Sequence, residues 1–196
     1  MIRRQKNTAE GAERRTKGFT LIETMISVVV LSVGILSLAS ILAYSLALMN
    51  AAQFDYIAQQ KAAEAIESIY TARDMGQATW STICNVGSTV CTNGVFINGA
   101  EPLCNPGPDE IIGTADDFTG SACAVSADMM LLPGSGGTYT STPQQIPLSS
   151  YSFLRTITIS AFPSVANLRT ITVLITYSAG RFQRSYTLTA NISNFS

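Results

Sequence analysis

Three hydrophobic patterns follow one another along this chain. Residues 19–49 are almost continuously apolar and carry one charged residue, Glu23. In residues 51–76 the apolar positions recur every three or four residues and polar residues fill the other face, as in an amphipathic helix. No glycine or proline interrupts the second stretch before its end. We therefore predict one helix from about Phe19 to Arg73, without a polar face in its first half and amphipathic in its second.

The C-terminal quarter changes to a period of two. Residues 151–160, 168–178 and 181–193 alternate between apolar and polar and are rich in β-branched and aromatic residues. They predict three antiparallel strands with one apolar face, and such a face needs a cover. Because the amphipathic half of the helix supplies that cover, the sequence predicts an α+β fold in which a long N-terminal helix packs on a C-terminal antiparallel β-sheet.

Residues 76–150, between helix and sheet, have the weakest pattern. They hold ten of the fourteen glycines and six of the seven prolines, and so long an irregular stretch is unusual unless it is functional or tied down. Nearest-neighbour disulfides, Cys84 with Cys91 and Cys104 with Cys123, are the expected ties, although four cysteines allow three connectivities. A zinc site of four thiolates is the rival, disfavoured because no Cys-x-x-Cys pair is present.

The apolar stretch is long enough to cross a membrane. Its 31 residues exceed the roughly 20 that a bilayer core requires and the apolar region of a secretory signal peptide. Residues 1–18 carry six Lys or Arg against two Glu, whereas the rest of the chain is net acidic. The positive-inside rule places this basic segment in the cytoplasm and everything past Met49 on the far, oxidising side. The acidic remainder argues against nucleic-acid binding.

The carboxylate at the start of the apolar stretch needs a reason. An ionised carboxylate at mid-bilayer costs roughly 2.5–3.5 kcal/mol on insertion scales, and less near the interface. Glu23 either reaches headgroup water at the cytoplasmic boundary or pairs with a cation. If the chain is cut after Gly18, the amine of Phe19 on a neighbouring subunit is a candidate cation. Glu23 would then be tolerated only in an assembly and would fix its register.

The heptapeptide Lys17-Gly18-Phe19-Thr20-Leu21-Ile22-Glu23, followed by a long apolar helix, resembles the type IV prepilin processing and methylation motif. The resemblance covers about residues 1–50. It implies that a prepilin peptidase cuts after Gly18 and methylates the amine of Phe19. It also implies an assembly platform and ATPase that move subunits from the membrane into a helical filament, with Glu23 acting in assembly.

Within this family, residues 23–40 are most similar to the PilV-like, pilus-modification minor pilins, and type II secretion pseudopilins are close. Many major pilins carry a proline in the second half of the apolar segment. Here the first proline is Pro102, which favours a minor component. The implied partners are other pilin subunits, the prepilin peptidase and the inner-membrane platform. The implied location is the inner membrane with a periplasmic head, and then the filament.

The pilin-like interpretation divides the chain into five segments. These are a cleaved leader (1–18), a transmembrane and filament-core helix (19–49), an amphipathic helix (50–75), a disulfide-stapled irregular region (76–150) and an antiparallel sheet (151–196).

An acidic stretch, residues 107–120, is a candidate calcium loop. Several carboxylates and turn carbonyls in a short loop suit Ca²⁺, which takes 6–8 oxygen ligands in flexible geometry. The stretch resembles the calcium loops of repeat proteins, with a glutamate in place of a glycine, and does not match an EF-hand. A solvated acidic turn is the alternative. The candidate ligands are Asp109, Asp116 and Asp117, with Glu110 and Thr114 as weaker ones.

An enzyme is the least favoured class of function. The chain has no histidine, which removes the commonest general base and the usual catalytic triads, and it has no phosphate-binding loop or dinucleotide fingerprint. No cofactor is expected other than the candidate calcium. A single-pass anchored binding domain would explain the apolar stretch and the cysteines but not the motif around Gly18. A filament subunit explains all of them.

Overall fold

The computed structural model describes residues 18–132, 144–179 and 182–194. Residues 1–17, which form the predicted leader apart from Gly18, lie outside the described residues. The chain separates into two compact units, Met1–Leu46 and Ala47–Ser196.

One α-helix, α1, spans Leu21–Asp74. It confirms the predicted long helix to within two residues at each end. In the first unit its large apolar side chains are exposed. By length and composition alone, this helix is apolar enough to cross a membrane.

The serine hydroxyl groups in the apolar part of α1 find hydrogen-bond acceptors within the helix. Five serines donate hydrogen bonds of 2.8–2.9 Å to backbone carbonyls three or four residues earlier: Ser27, Ser32, Ser37, Ser40 and Ser45. A hydroxyl bonded in this way needs no water. Because lipid offers no hydrogen-bond partners, this arrangement makes the serines compatible with an apolar environment.

The second unit contains a four-stranded antiparallel sheet in the order β1-β6-β7-β8. Its strands are β1 (Glu101–Pro102), β6 (Leu154–Ala161), β7 (Leu168–Ala179) and β8 (Phe182–Ser193). The last three are the strands that the period of two predicted. The short β1 comes from the region predicted to be irregular, and it pairs with the start of β6.

Among the described residues of the otherwise irregular region there are two small two-stranded antiparallel sheets and two 3-10 helices. The strands are β2 (Phe118–Thr119), β3 (Ala122–Cys123), β4 (Met129–Leu132) and β5 (Gln144–Pro147). The 3-10 helices are Ala115–Asp117 and Leu148–Tyr151. The structure contains the disulfides Cys84–Cys91 and Cys104–Cys123, which is the nearest-neighbour pairing.

The core of the second unit lies between the amphipathic part of α1 and one face of the sheet. The helix contributes a line of fully buried small residues, Ala58, Ala62 and Ala65, which lets its backbone approach the strands. Alternate residues of β7 point towards it and are buried, including Ile171 and Val173. The helix is therefore the cover that the apolar sheet face requires.

A buried arginine fastens the first disulfide loop to this core. Arg169, 5 % exposed on β7, donates hydrogen bonds to the backbone carbonyls of Trp80, Ile83 and Val90. Its guanidinium also stacks 3.9 Å above the centre of the Trp80 ring. The sequence contained a signal for this residue. Counting back by two from the inward-facing Ile171 reaches Arg169, so its position in the alternation already placed a charge in the core.

Candidate functional site

The processing motif lies where the chain enters α1. Gly18, Phe19 and Thr20 precede the first helical residue, Leu21, so the peptide bond after Gly18 is outside the helical hydrogen-bond ladder. Phe19 is 78 % exposed, and a Cβ placed on Gly18 would meet no atom within 4 Å. The bond after Gly18 is therefore accessible to an enzyme that must approach the backbone closely.

Glu23 lies in the first turn of α1, and Thr20 caps that turn. The backbone N–H of Glu23 donates to the carbonyl of Thr20 at 3.0 Å and to its hydroxyl at 3.3 Å. A threonine in this position supplies an acceptor to a helix N-terminus that lacks one. A negative side chain in the first turn also interacts favourably with the helix dipole. The carboxylate thus interacts with the helix N-terminus and remains exposed.

In the second unit, the acidic loop brings together three of its five candidate ligands. One carboxylate oxygen from each of Asp109, Asp116 and Asp117 lies within 4.8 Å of the others. Thr114 joins the group through a 2.6 Å hydrogen bond from its hydroxyl to Asp116. The structure does not place Glu110 in this group. It is exposed and has a φ of 58°, in the left-handed region that glycine adopts most readily.

Asp117 is the centre of the acidic loop. It is 0 % exposed, and its two oxygens accept hydrogen bonds from the N–H groups of Gly107 at 2.7 Å and Gly113 at 2.6 Å. Both glycines are required: a Cβ on Gly107 would lie 2.6 Å from the backbone oxygen of Asp116, and Gly113 has a φ of +91°. The carboxylate therefore organises the loop backbone around itself.

The two neighbouring aspartates differ in their electrostatics. Burial raises the pKa of Asp117, and this effect outweighs the two N–H donors and the positive charge of Arg155. Burial also acts to raise the pKa of Asp116, but hydrogen bonds from Thr114 and the N–H of Asp109 lower it overall. Arg155, buried on β6, therefore supplies positive charge to Asp117 and not to Asp116.

Sequence reasoning missed a side chain that closes one edge of the sheet. Asn85, buried next to the first disulfide, donates its amide N–H to the carbonyl of Ile157 and accepts from the N–H of Ile159, both at 2.7 Å. It thereby occupies backbone groups of β6 that a further strand would otherwise use. Nothing in the local sequence distinguishes this asparagine from the others in the region.

Comparison with known proteins gives one match. A family model described as the prokaryotic N-terminal methylation motif matches residues 14–39, which include the candidate cleavage site, Glu23 and the first turns of α1. No curated protein and no solved structure matches the chain. The matched motif supports a type IV pilin-like protein or pseudopilin, a structural subunit that a prepilin peptidase processes and that assembles with other pilins. The motif and the apolar helix fit an inner-membrane anchor.

Proposed function

We propose that this protein is a minor pilin of a type IV pilus, processed by a prepilin peptidase and assembled into the filament or priming it. The match to the methylation motif at residues 14–39 carries the proposal. Two features of the chain support it further. The bond after Gly18 is exposed and precedes the helix, and no proline occurs before Pro102. The similarity of residues 23–40 to PilV-like proteins favours the minor class.

A minor pseudopilin of a type II secretion system is the second candidate, because the same motif serves both machines. The two roles differ in what the cell loses when the gene is deleted. A minor pilin deletion should reduce surface pili and leave secretion of type II substrates unchanged, whereas a pseudopilin deletion should have the opposite effect. A deletion strain with wild-type levels of both would instead favour a single-pass anchored binding domain.

Under this proposal, replacing Glu23 should block assembly without blocking insertion. Glu23→Ala removes a carboxylate that is costly in lipid and is compensated only beside a neighbour's amine. We expect normal amounts of the variant in the inner membrane and at least about a tenfold loss from sheared filaments, the loss that a contact of about 1.4 kcal/mol would produce. The measurement is immunoblotting of membrane and filament fractions.

Ser27→Ala is the matched control for Glu23→Ala. It lies one turn away on α1, and its hydroxyl bonds the carbonyl of Glu23 within the same helix, so it should enter filaments normally. Equal recovery of Glu23→Ala and wild type in sheared filaments would show that the carboxylate acts only on its own helix N-terminus.

We also propose that the acidic loop binds Ca²⁺ through Asp109, Asp116 and Asp117. The convergence of their three carboxylates supports this, since a cation relieves their mutual repulsion. Binding to the folded state alone raises its stability by about 2.7 kcal/mol at a hundredfold excess of Ca²⁺ over Kd. The thermal midpoint of the full chain in detergent should therefore be higher with Ca²⁺ than with chelator.

Two variants make the calcium experiment specific. Asp109→Asn should remove the response to Ca²⁺, because it removes one of the three converging charges. Glu110→Gln should keep the response, because Glu110 is outside the group. An identical midpoint with Ca²⁺ and with chelator would mean that hydrogen bonds and Arg155 alone organise the loop.

A further inference from the structure

The two edges of the four-stranded sheet differ in how far their backbone hydrogen-bonding groups are satisfied. On the β6 edge, Arg155 lies opposite Glu101 of β1 in the strand register. Further along this edge, the side-chain amide of Asn85 bonds the carbonyl of Ile157 and the N–H of Ile159. On the other edge, β8 runs for twelve residues and pairs only with β7 in the described parts of the chain. An edge strand whose backbone groups are unpaired is a template for another strand.

The register shows which backbone groups of β8 face outwards. The N–H of Asn194, just after β8, donates to the carbonyl of Asn167, just before β7. In this register the backbone groups of the even-numbered residues of β8 bond to β7, and those of the odd-numbered residues face away from it. Near the end of β8, α1 covers this edge: Tyr70 donates to the carbonyl of Asn191 at 2.7 Å and Arg73 to that of Ser193 at 3.3 Å.

A shorter part of the edge is left open. The outward N–H and C=O groups of four residues have no partner within the described residues: Gln183, Ser185, Thr187 and Thr189. Several of the usual protective devices are missing from this part as well, and its one charged residue, Arg184, is paired with Asp55 of α1. The pairing with β7 is continuous, without a bulge, and the segment contains no proline or lysine.

We propose that the open edge of β8 pairs antiparallel with the β8 edge of a second copy of this chain. The four open residues are symmetric about Tyr186. An antiparallel pairing centred there sets Gln183 opposite Thr189 of the second copy and Ser185 opposite its Thr187. Each of these pairs exchanges two backbone hydrogen bonds, so every open group on both edges acquires a partner. Pairing ends where the side chains of α1 already occupy the edge.

The side chains also fit this register. On the outer face, the amide of Gln183 lies opposite the hydroxyl of Thr189, and the hydroxyl of Ser185 lies opposite that of Thr187. On the inner face Tyr186 meets Tyr186 of the second copy, an aromatic cross-strand pair. The one charged residue, Arg184, faces Leu188 rather than another arginine, and its charge is already compensated by Asp55 at 2.7 Å. Phe182, which is 76 % exposed in the single chain, lies opposite Ala190.

The pairing has a consequence for how two copies approach. Within the second unit, α1 runs in the same direction as β8, since Asp55 contacts Arg184 and Tyr70 contacts Asn191. In an antiparallel pair the two Ala47 residues, where this unit begins, therefore lie at opposite ends of the joined sheets. The pairing suits copies presented from two opposing filaments or surfaces. The pairing itself does not depend on the pilin assignment.

Cysteine crosslinking of the full chain in detergent micelles tests the register. In Tyr186→Cys, the two added thiols face each other across a non-hydrogen-bonded pair with Cα atoms about 4.5 Å apart, within reach of a disulfide. In Thr189→Cys, the two thiols are about 20 Å apart in the same pairing. All four native cysteines are in disulfides, so each variant has one free thiol.

We expect mild oxidation to give at least about ten times more covalent dimer from Tyr186→Cys than from Thr189→Cys, because only the former satisfies disulfide geometry. Peptide mapping of the Tyr186→Cys dimer should identify a disulfide that joins the substituted position of one copy to the same position of the other. Equal yields from the two variants, or no dimer from either, would overturn the proposal. So would crosslinking of Tyr186→Cys in cells to a different protein in place of itself.

A proline variant keeps the test valid if the cysteine variant fails to fold. The N–H of Thr187 faces away from β7, so Thr187→Pro removes a donor from the open edge without breaking a bond to β7. Analytical ultracentrifugation should find a concentration-dependent dimer of the wild-type chain and a monomer of Thr187→Pro. The same state for both proteins would contradict edge pairing.

Discussion

Replacement of Gly18 by leucine is expected to leave the chain uncleaved. Under the proposed function, a peptidase that cuts after Gly18 has to bring its catalytic groups to that backbone, and a side chain there would obstruct the approach. The substitution should not disturb the fold, because no atom lies within 4 Å of a Cβ at this position and α1 begins only at Leu21. The measured effect therefore belongs to processing.

Mass spectrometry of the purified protein distinguishes the outcomes. Wild type expressed with an active prepilin peptidase should begin at N-methylated Phe19, and Gly18→Leu should retain residues 1–18. Gly34→Ala is the control, since a Cβ there also meets nothing within 4 Å, and this variant should be cleaved and methylated. An intact N-terminus in the wild-type protein under these conditions would contradict the pilin-like assignment.

Replacement of Arg169 by alanine is expected to destabilise the second unit strongly. The change leaves the carbonyls of Trp80, Ile83 and Val90 without their donor and removes the stacking on the Trp80 ring. Each buried carbonyl left without a donor lowers the free energy of unfolding by about 1–3 kcal/mol when it is fully buried, and by less when it reaches water. Since these carbonyls differ in burial, we expect a total loss of about 2–4 kcal/mol.

Trp80 provides a fluorescence signal for measuring the stability of Arg169→Ala. It is the single tryptophan of the chain, so its fluorescence during guanidinium unfolding reports on the loop that Arg169 holds. Arg184→Ala removes the same charge from the neighbouring strand. Its ion pair with Asp55 is about two-fifths exposed, so this control should lose less than about 1 kcal/mol. Similar losses for both variants would mean that Arg169 contributes only as a surface charge does.

The α1 helix and the three long strands could be predicted because each depends on local periodicity. Residues 51–76 need only a repeat of 3.6, and residues 168–178 only a repeat of two, for the buried face to be identified. The disulfide pairing agreed with the shortest loops. The short strands between residues 101 and 147 were not predicted, because two to four residues cannot establish a period.

The acidic loop shows where local sequence ceases to be informative. The cluster of Asp109, Asp116 and Asp117 was visible as charge density, and the structure brings these carboxylates together. That Asp117 is the buried one, bonded to two glycine N–H groups, could not be seen, because adjacent aspartates look equivalent in a sequence. Glu110 lies outside this group and has a left-handed backbone conformation, neither of which charge alone predicts.

The sequence by itself determined what depends on neighbours along the chain. This includes the long helix with its apolar first half, the negative charge at the start of that helix, the match to the methylation motif, and the alternation that sets which strand face is buried. Only the tertiary structure decided what depends on segments far apart in sequence. Asn85 closes the edge of β6, Arg169 fastens the first disulfide loop, and Tyr70 and Arg73 cover only the end of β8. Hydrogen bonds between residues more than seventy positions apart leave no periodic trace, because their geometry exists only after the chain has folded.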